Sequence, residues 1–257
     1  MPTPKYEKPP ITEVVFDVSF NSLEEFHSEH LGLFWSKIRK DFPRCEQAIP
    51  YDDHAVEYSE EVFPMPRYWF ISECDSQVLQ IQKNHLAFNW RRGSGKKDYP
   101  HYEAVKASFE KYLKKFSDFI AEEKLGILEV TGAQLSYSNA IYENEGWNSF
   151  SEIPKILPQI SFPNQHMLSE HISGLSLSYA YLVPNNVGTL VIKAHTAIEE
   201  SKNKKLLRLE LILKGDHRFD NVKETLNWFD VSHEQIVSTF AKITDDEIQL
   251  NLWKKRK

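Results

Sequence analysis

Residues Ile11 to Phe20 read ITEVVFDVSF. Val14, Phe16, Val18 and Phe20 fall on every second position, and Glu13, Asp17 and Ser19 fall on the other side. A period of two puts the apolar set on one face and the polar set on the other, the pattern of a strand with one wet face. This alternation returns along the chain. RYWFISE, VLQIQ and HLAFNWR read as three short strands, ILEVTGAQLSYSNAIY as a long one, and LSLSYAYLV, GTLVIKAHTAIE and LLRLELILK as three more. In the last, Leu207, Leu209, Leu211 and Leu213 alternate with Arg208, Glu210 and Lys214.

Between the strands the period changes to that of a helix. Leu23 to Phe42 places Phe26, His30, Leu33, Phe34 and Ile38 at helical spacing, and Pro43 ends it. Tyr102 to Lys124 carries Val105, Phe109, Tyr112, Leu113, Phe116 and Ile120 on one stripe, with Lys106, Glu110, Lys111, Lys114, Lys115 and Asp118 opposite. NSFSEIPKILPQI reads as a short, proline-broken helical piece, and Asn221 to Ile243 as a final helix. The order strand, helix, three strands, helix therefore occurs twice, joined at Leu125 to Ile127. The expected class is α+β: a curved antiparallel sheet backed by helices, built as two tandem β-α-β-β-β-α halves if the shared order reflects duplication. The halves would be residues 11–124 and 125–253 of one sheet, after an N-terminal tail, 1–10, and before a basic tail, 254–257.

Composition bounds function. With 16 Phe, 11 Tyr and 6 Trp against only 9 Gly in 257 residues, the chain favours extended packed elements over a glycine-rich cofactor fold. The formal net charge of -6 gives no general attraction for nucleic acid or a membrane surface. Cys45 and Cys74 are too few for a disulfide framework and lack metal-ligand spacing. The opening MPTPKYEKPP has no apolar signal core, and no apolar run has membrane-spanning length, so a cytoplasmic location is expected.

One stretch looks like a phosphate loop. Phe88 to Glu103, FNWRRGSGKKDYPHYE, contains GSGK. A P-loop needs a first glycine five residues before the second and a hydroxyl after the lysine, because backbone amides wrap the phosphates and the hydroxyl holds magnesium. Trp90 occupies the first position and Lys97 the last. Pro100 also separates the lysines from the following helix, so the helix amides cannot point into the loop. The stretch then reads either as a turn that uses Gly93 and Gly95 for positive φ, or as a basic spot. In the second reading Arg91, Arg92, Lys96 and Lys97 would meet a phosphate, an acidic partner or nucleic acid, with Trp90 exposed on the sheet as a stacking aromatic.

His27 and His30 could place two imidazoles on adjacent helical turns, but a metal would need ligands from elsewhere; packed or surface histidines are expected. His166 and His171 flank a loop. Glu122 and Lys124 have nuclease-like spacing on a helix end, not on a strand. Ser232, before His233 and Glu234, reads as an N-cap. EIQLNLWKKRK alternates Ile248, Leu250 and Leu252 before Trp253, as a terminal strand or docking tail would. No signature of a hydrolase, metalloprotease, redox pair or dinucleotide site occurs. No cofactor, metal or catalytic residue is assigned.

PPITEVVFDVSF, LAFNWR leading into YPHYEAVKASFEKYLKKF, and SHEQIVSTFAKIT followed by LW resemble a sporadically distributed family of bacterial proteins of about 250 residues with no assigned function. The resemblance runs from Pro9 to Trp253 and implies a length and a layout without a site. Sporadic distribution implies mobile genes, as in defence or toxin-neutralising systems. The expectation is a non-enzymatic cytosolic binding protein that presents a sheet surface to a protein or small ligand. Alternatives are a nucleic-acid module using loop 91–97 and an enzyme with a dispersed site. Edge strands of an open sheet leave a homodimer open.

Overall fold

The computed structural model describes residues 3–50, 65–93, 98–162, 172–199 and 203–256. Among these residues are nine strands, β1 (Ile11–Phe20), β2 (Arg44–Ala48), β3 (Arg67–Ile71), β4 (Gln77–Gln82), β5 (His85–Arg91), β6 (Val130–Tyr142), β7 (Ser176–Val183), β8 (Gly188–Glu199) and β9 (Lys204–Gly215), with helix α1 (Ser28–Ile38) after β1, α2 (Tyr102–Glu122) after β5, and α3 (Val222–Ile243) and α4 (Asp246–Asn251) after β9. The strands form one open antiparallel sheet in the order β2-β3-β4-β5-β1-β6-β9-β8-β7. The class is α+β. β1 and β6, the first strand of each expected half, are neighbours in that order, and each half's later strands follow outward from them.

The chain packs as two compact units. One comprises residues 14–134 and 215–229. Its centre is Phe16, whose ring lies 5.2 Å from Phe109, 5.7 Å from Tyr102 and 5.0 Å from Phe229. Phe116 meets Phe20, Phe26 and Phe34 at 5.3 to 6.0 Å. The apolar stripe of α2 meets the apolar alternation of β1 and β5, and Phe88 stacks on Tyr112. Each such ring contributes roughly 1.5–3 kcal/mol by leaving water.

The other unit comprises residues 1–13, 135–214 and 230–257. Leu207, Leu209, Leu211 and Leu213 of β9 are fully buried, as their alternation predicts. Tyr6 meets Phe240 and Trp253 edge-on, and Phe240 and Trp253 lie tilted against each other at 5.0 Å.

Several elements differ from their sequence reading. α1 spans residues 28–38 and not 23–42, because its start is set by His30, whose Nδ1 accepts the His27 backbone N–H at 3.0 Å. The His27/His30 spacing therefore serves a helix cap, and no cluster of three metal-ligating side chains occurs among the described residues. β2, sequence RCEQA, has no apolar alternation to betray it because it is an exposed edge.

Ser232 lies inside α3, fully buried, and caps nothing. The cap is Asn221, whose side chain accepts the Glu224 N–H at 3.0 Å while Glu224 accepts the Asp220 N–H at 2.7 Å. The C-terminal alternation is a helix, not a strand. Asp245 caps α4 by accepting the Ile248 N–H, and the residue buried there is Gln249. Its Oε1 accepts from the Tyr6 hydroxyl, and its Nε2 donates to the Ala241 and Thr244 carbonyls.

Candidate binding surfaces

Trp90 does not form a stacking platform beside the loop after β5. Trp90 is buried, at 4% exposure, with its ring edge-on to Tyr99. Strand alternation turns it to the helix side with Phe88 and Leu86, so no base can stack on it as it stands. The Arg91 Nε donates to the Asp75 carbonyl at 2.8 Å, and its guanidinium lies 3.9 Å from the Asp75 carboxylate, which Arg44 also binds. Arg92 is exposed. Lys96 and Lys97 lie outside the described residues, as do His166 and His171. Gly93 has a packing role: a Cβ there would collide with the Cys74 carbonyl and lie 3.0 Å from the Ser76 nitrogen. Glycine at this position permits close backbone approach and is not evidence of a phosphate.

A more informative surface is the opposite face of the same strands. β3 pairs with β4 so that Trp69 stands opposite Gln80, and β4 with β5 so that Gln80 stands opposite Ala87 and Gln82 opposite His85. Residues opposite each other share a face. Arg67, Trp69, Gln80, Gln82, His85 and Asn89 therefore lie on one side. Ser19 joins them, its Oγ 2.9 Å from the His85 Nε2, and Asp17 shares the Ser19 side of β1.

The sequence predicts a wet face here; the structure shows a polar face that is buried. Asp17 and Asn89 are 7% exposed and Gln80 is 6% exposed. Gln80 Nε2 donates to Asn89 Oδ1 at 2.7 Å. Among the described residues, however, Gln80 Oε1 and Trp69 Nε1 are buried without a partner, each at a cost of about 1–3 kcal/mol. The signal in the sequence was the run LQIQ, an amide at every second position.

Ser19, His85 and Asn84 also bear on catalysis. With Ser19 donating to Nε2, the His85 Nδ1–H points at Asn84 Oδ1, 3.2 Å away. That is the order of a nucleophile, a base and an orienting group. An acyl transfer further needs donors aimed at the oxyanion, often the backbone amides beside the nucleophile. The amides after Ser19 are spent: Phe20 N–H donates to the Asn84 carbonyl and Asn21 N–H to the Glu129 carbonyl. The trio is a hydrogen-bonded part of the polar face.

The other unit holds a cleft of about 890 Å³ lined by Lys5, Glu234, Ser238, Lys242, Lys255 and Arg256 among others. Lys255 pairs with Asp246 and Arg256 with Glu7, and none of the lining side chains is buried. Two of its four cations are paired among the described residues, and its side chains are solvated.

These features define a class: an α+β protein with an open antiparallel sheet that carries, across β3, β4 and β5, a polar and largely buried patch with two buried atoms unpaired among the described residues. No family model matches the chain, and no curated protein or solved structure matches it either. No helix among the described residues is long and apolar enough to cross a membrane.

Proposed function

We propose that the chain is a binding protein, not an enzyme, and that the polar face of β3, β4 and β5 receives its ligand. The observation that carries this reading is the pair Trp69 and Gln80: one buried donor and one buried acceptor on directly opposed residues, neither with a partner among the described residues. Both atoms are shielded from solvent, so a partner must displace what covers them; one that then accepts from the indole and donates to the amide oxygen removes both penalties on binding. That chemistry belongs to an uncharged, amide-like group, as in a peptide backbone or a heterocyclic lactam. Specificity follows, because an analogue lacking either function leaves one buried atom unpaired.

The test is native mass spectrometry on protein purified gently from its own cells, with a fluorophosphonate probe alongside. A stoichiometric adduct of non-chain mass and no labelling of Ser19 are expected. Covalent labelling of Ser19, or turnover of a substrate by the protein alone, would overturn the non-catalytic reading.

A further inference from the structure

The two edges of the sheet are built differently. β2 is five residues long and carries Arg44 and Glu46, the charged, short edge by which sheets avoid pairing with other chains. β7, at the other end, is eight residues, SLSYAYLV, with no charge and no proline. Tyr181 and Leu182 on it are 53% and 86% exposed.

The hydrogen-bonding groups it offers follow from its register. Thr196 N–H donates to the Leu175 carbonyl at 3.0 Å, so Leu175 and Thr196 form a hydrogen-bonded pair. In an antiparallel ladder such pairs alternate with non-bonded ones. Leu177, Tyr179, Tyr181 and Val183, opposite Ala194, Ile192, Leu190 and Gly188, therefore direct their backbone groups at β8. Ser176, Ser178, Ala180 and Leu182 direct theirs outward, and none of these outward groups meets a partner among the described residues.

We infer that β7 is a homodimer edge, pairing antiparallel with the β7 of a second copy. The strand is self-complementary. With Tyr179 on the two-fold axis, Ser176 meets the second copy's Leu182 and Ser178 meets its Ala180. These are the outward residues, so each such pair exchanges two backbone hydrogen bonds. On one face Tyr179 meets Tyr179, flanked by Leu177 against Tyr181. No like charges oppose one another at any position, the condition that a two-fold interface imposes on a strand meeting itself. The result is one sheet continuous through both copies.

Light scattering coupled to gel filtration on the full chain tests this. The wild type is expected at twice the chain mass. The variant S178K/A180K, changed only at exposed edge positions, should keep its circular dichroism and melting temperature but run at the mass of one chain, its dissociation constant raised at least about tenfold. S178E/A180E should behave alike. Mixing the two should restore the dimer, because position 178 of one copy faces 180 of the other. A wild type that stays at the mass of one chain at about 100 μM, or a lysine variant that dimerises as the wild type does, would overturn the inference. So would failure of the mixture to associate. None of these outcomes depends on a ligand at the polar face.

Discussion

Trp69 and Gln80 stand directly opposite each other on β3 and β4, and each keeps one buried atom, Nε1 and Oε1, without a partner among the described residues. Trp69→Phe removes the unpaired donor and keeps most of the ring. The free protein should gain about 1 kcal/mol, a rise in Tm of about 2–4 °C. Thermal unfolding followed by circular dichroism reads this directly; a fall in Tm would mean that the indole N–H is paired in solution or that the lost ring packing outweighs its burial cost.

The Tyr137 hydroxyl lies 2.9 Å from the His233 Nδ1. Burial lowers the His233 pKa from 6.5 to about 4, against an opposing pull from Asp230. The unfolded chain thus takes up this proton at a higher pH than the folded one. The contribution is complete above pH 6.5 and is lost as pH falls through about 4, amounting to at most about 2 kcal/mol by pH 5. Urea unfolding at neutral pH and at pH 5 should show this loss in the wild type and a smaller one in His233→Gln. Equal losses would mean that other groups set the acid response.

Gln249 links Tyr6 to two carbonyls near the end of α3. Tyr6→Phe leaves the Gln249 Oε1 buried without its donor and should cost about 1–3 kcal/mol. Gln249→Leu should cost at least as much, although it adds an apolar side chain at a buried position. Denaturant midpoints of the two variants check the order.

That segment shows where the sequence was legible and where it was not. Period-two alternation located β4, β5, β8 and β9 to within about two residues, since their apolar side chains meet a core on one face. The same rule misread Ile248, Leu250 and Leu252 as a strand. There the deciding interaction is polar and comes from Tyr6, distant in sequence. It missed β2, an exposed edge with no core to pattern it. It also assigned Asp17 to solvent and Trp90 to the sheet surface. Polarity distinguishes the two faces of a strand but does not say whether the polar face is wet. The proposed binding face was legible only as amides in LQIQ; that Trp69 stands opposite Gln80 comes from cross-strand register.

Gly93 approaches the Cys74 carbonyl too closely for any side chain. Gly93→Ala should destabilise by about 1–3 kcal/mol and disturb the nearby Arg91 contact with Asp75. Gly95→Ala serves as the comparison. If the loop instead cradled a phosphate, Gly93→Ala would cost phosphate binding with stability unchanged, which calorimetry with inorganic phosphate would reveal.

The most direct test of the polar face is the adduct retained by Trp69→Phe/Gln80→Met relative to wild type, both purified gently from the same cells and weighed by native mass spectrometry. A stoichiometric adduct on the wild type that is absent from a folded double variant is the predicted result. An adduct held equally by both, or a bare chain in the wild type, would contradict it.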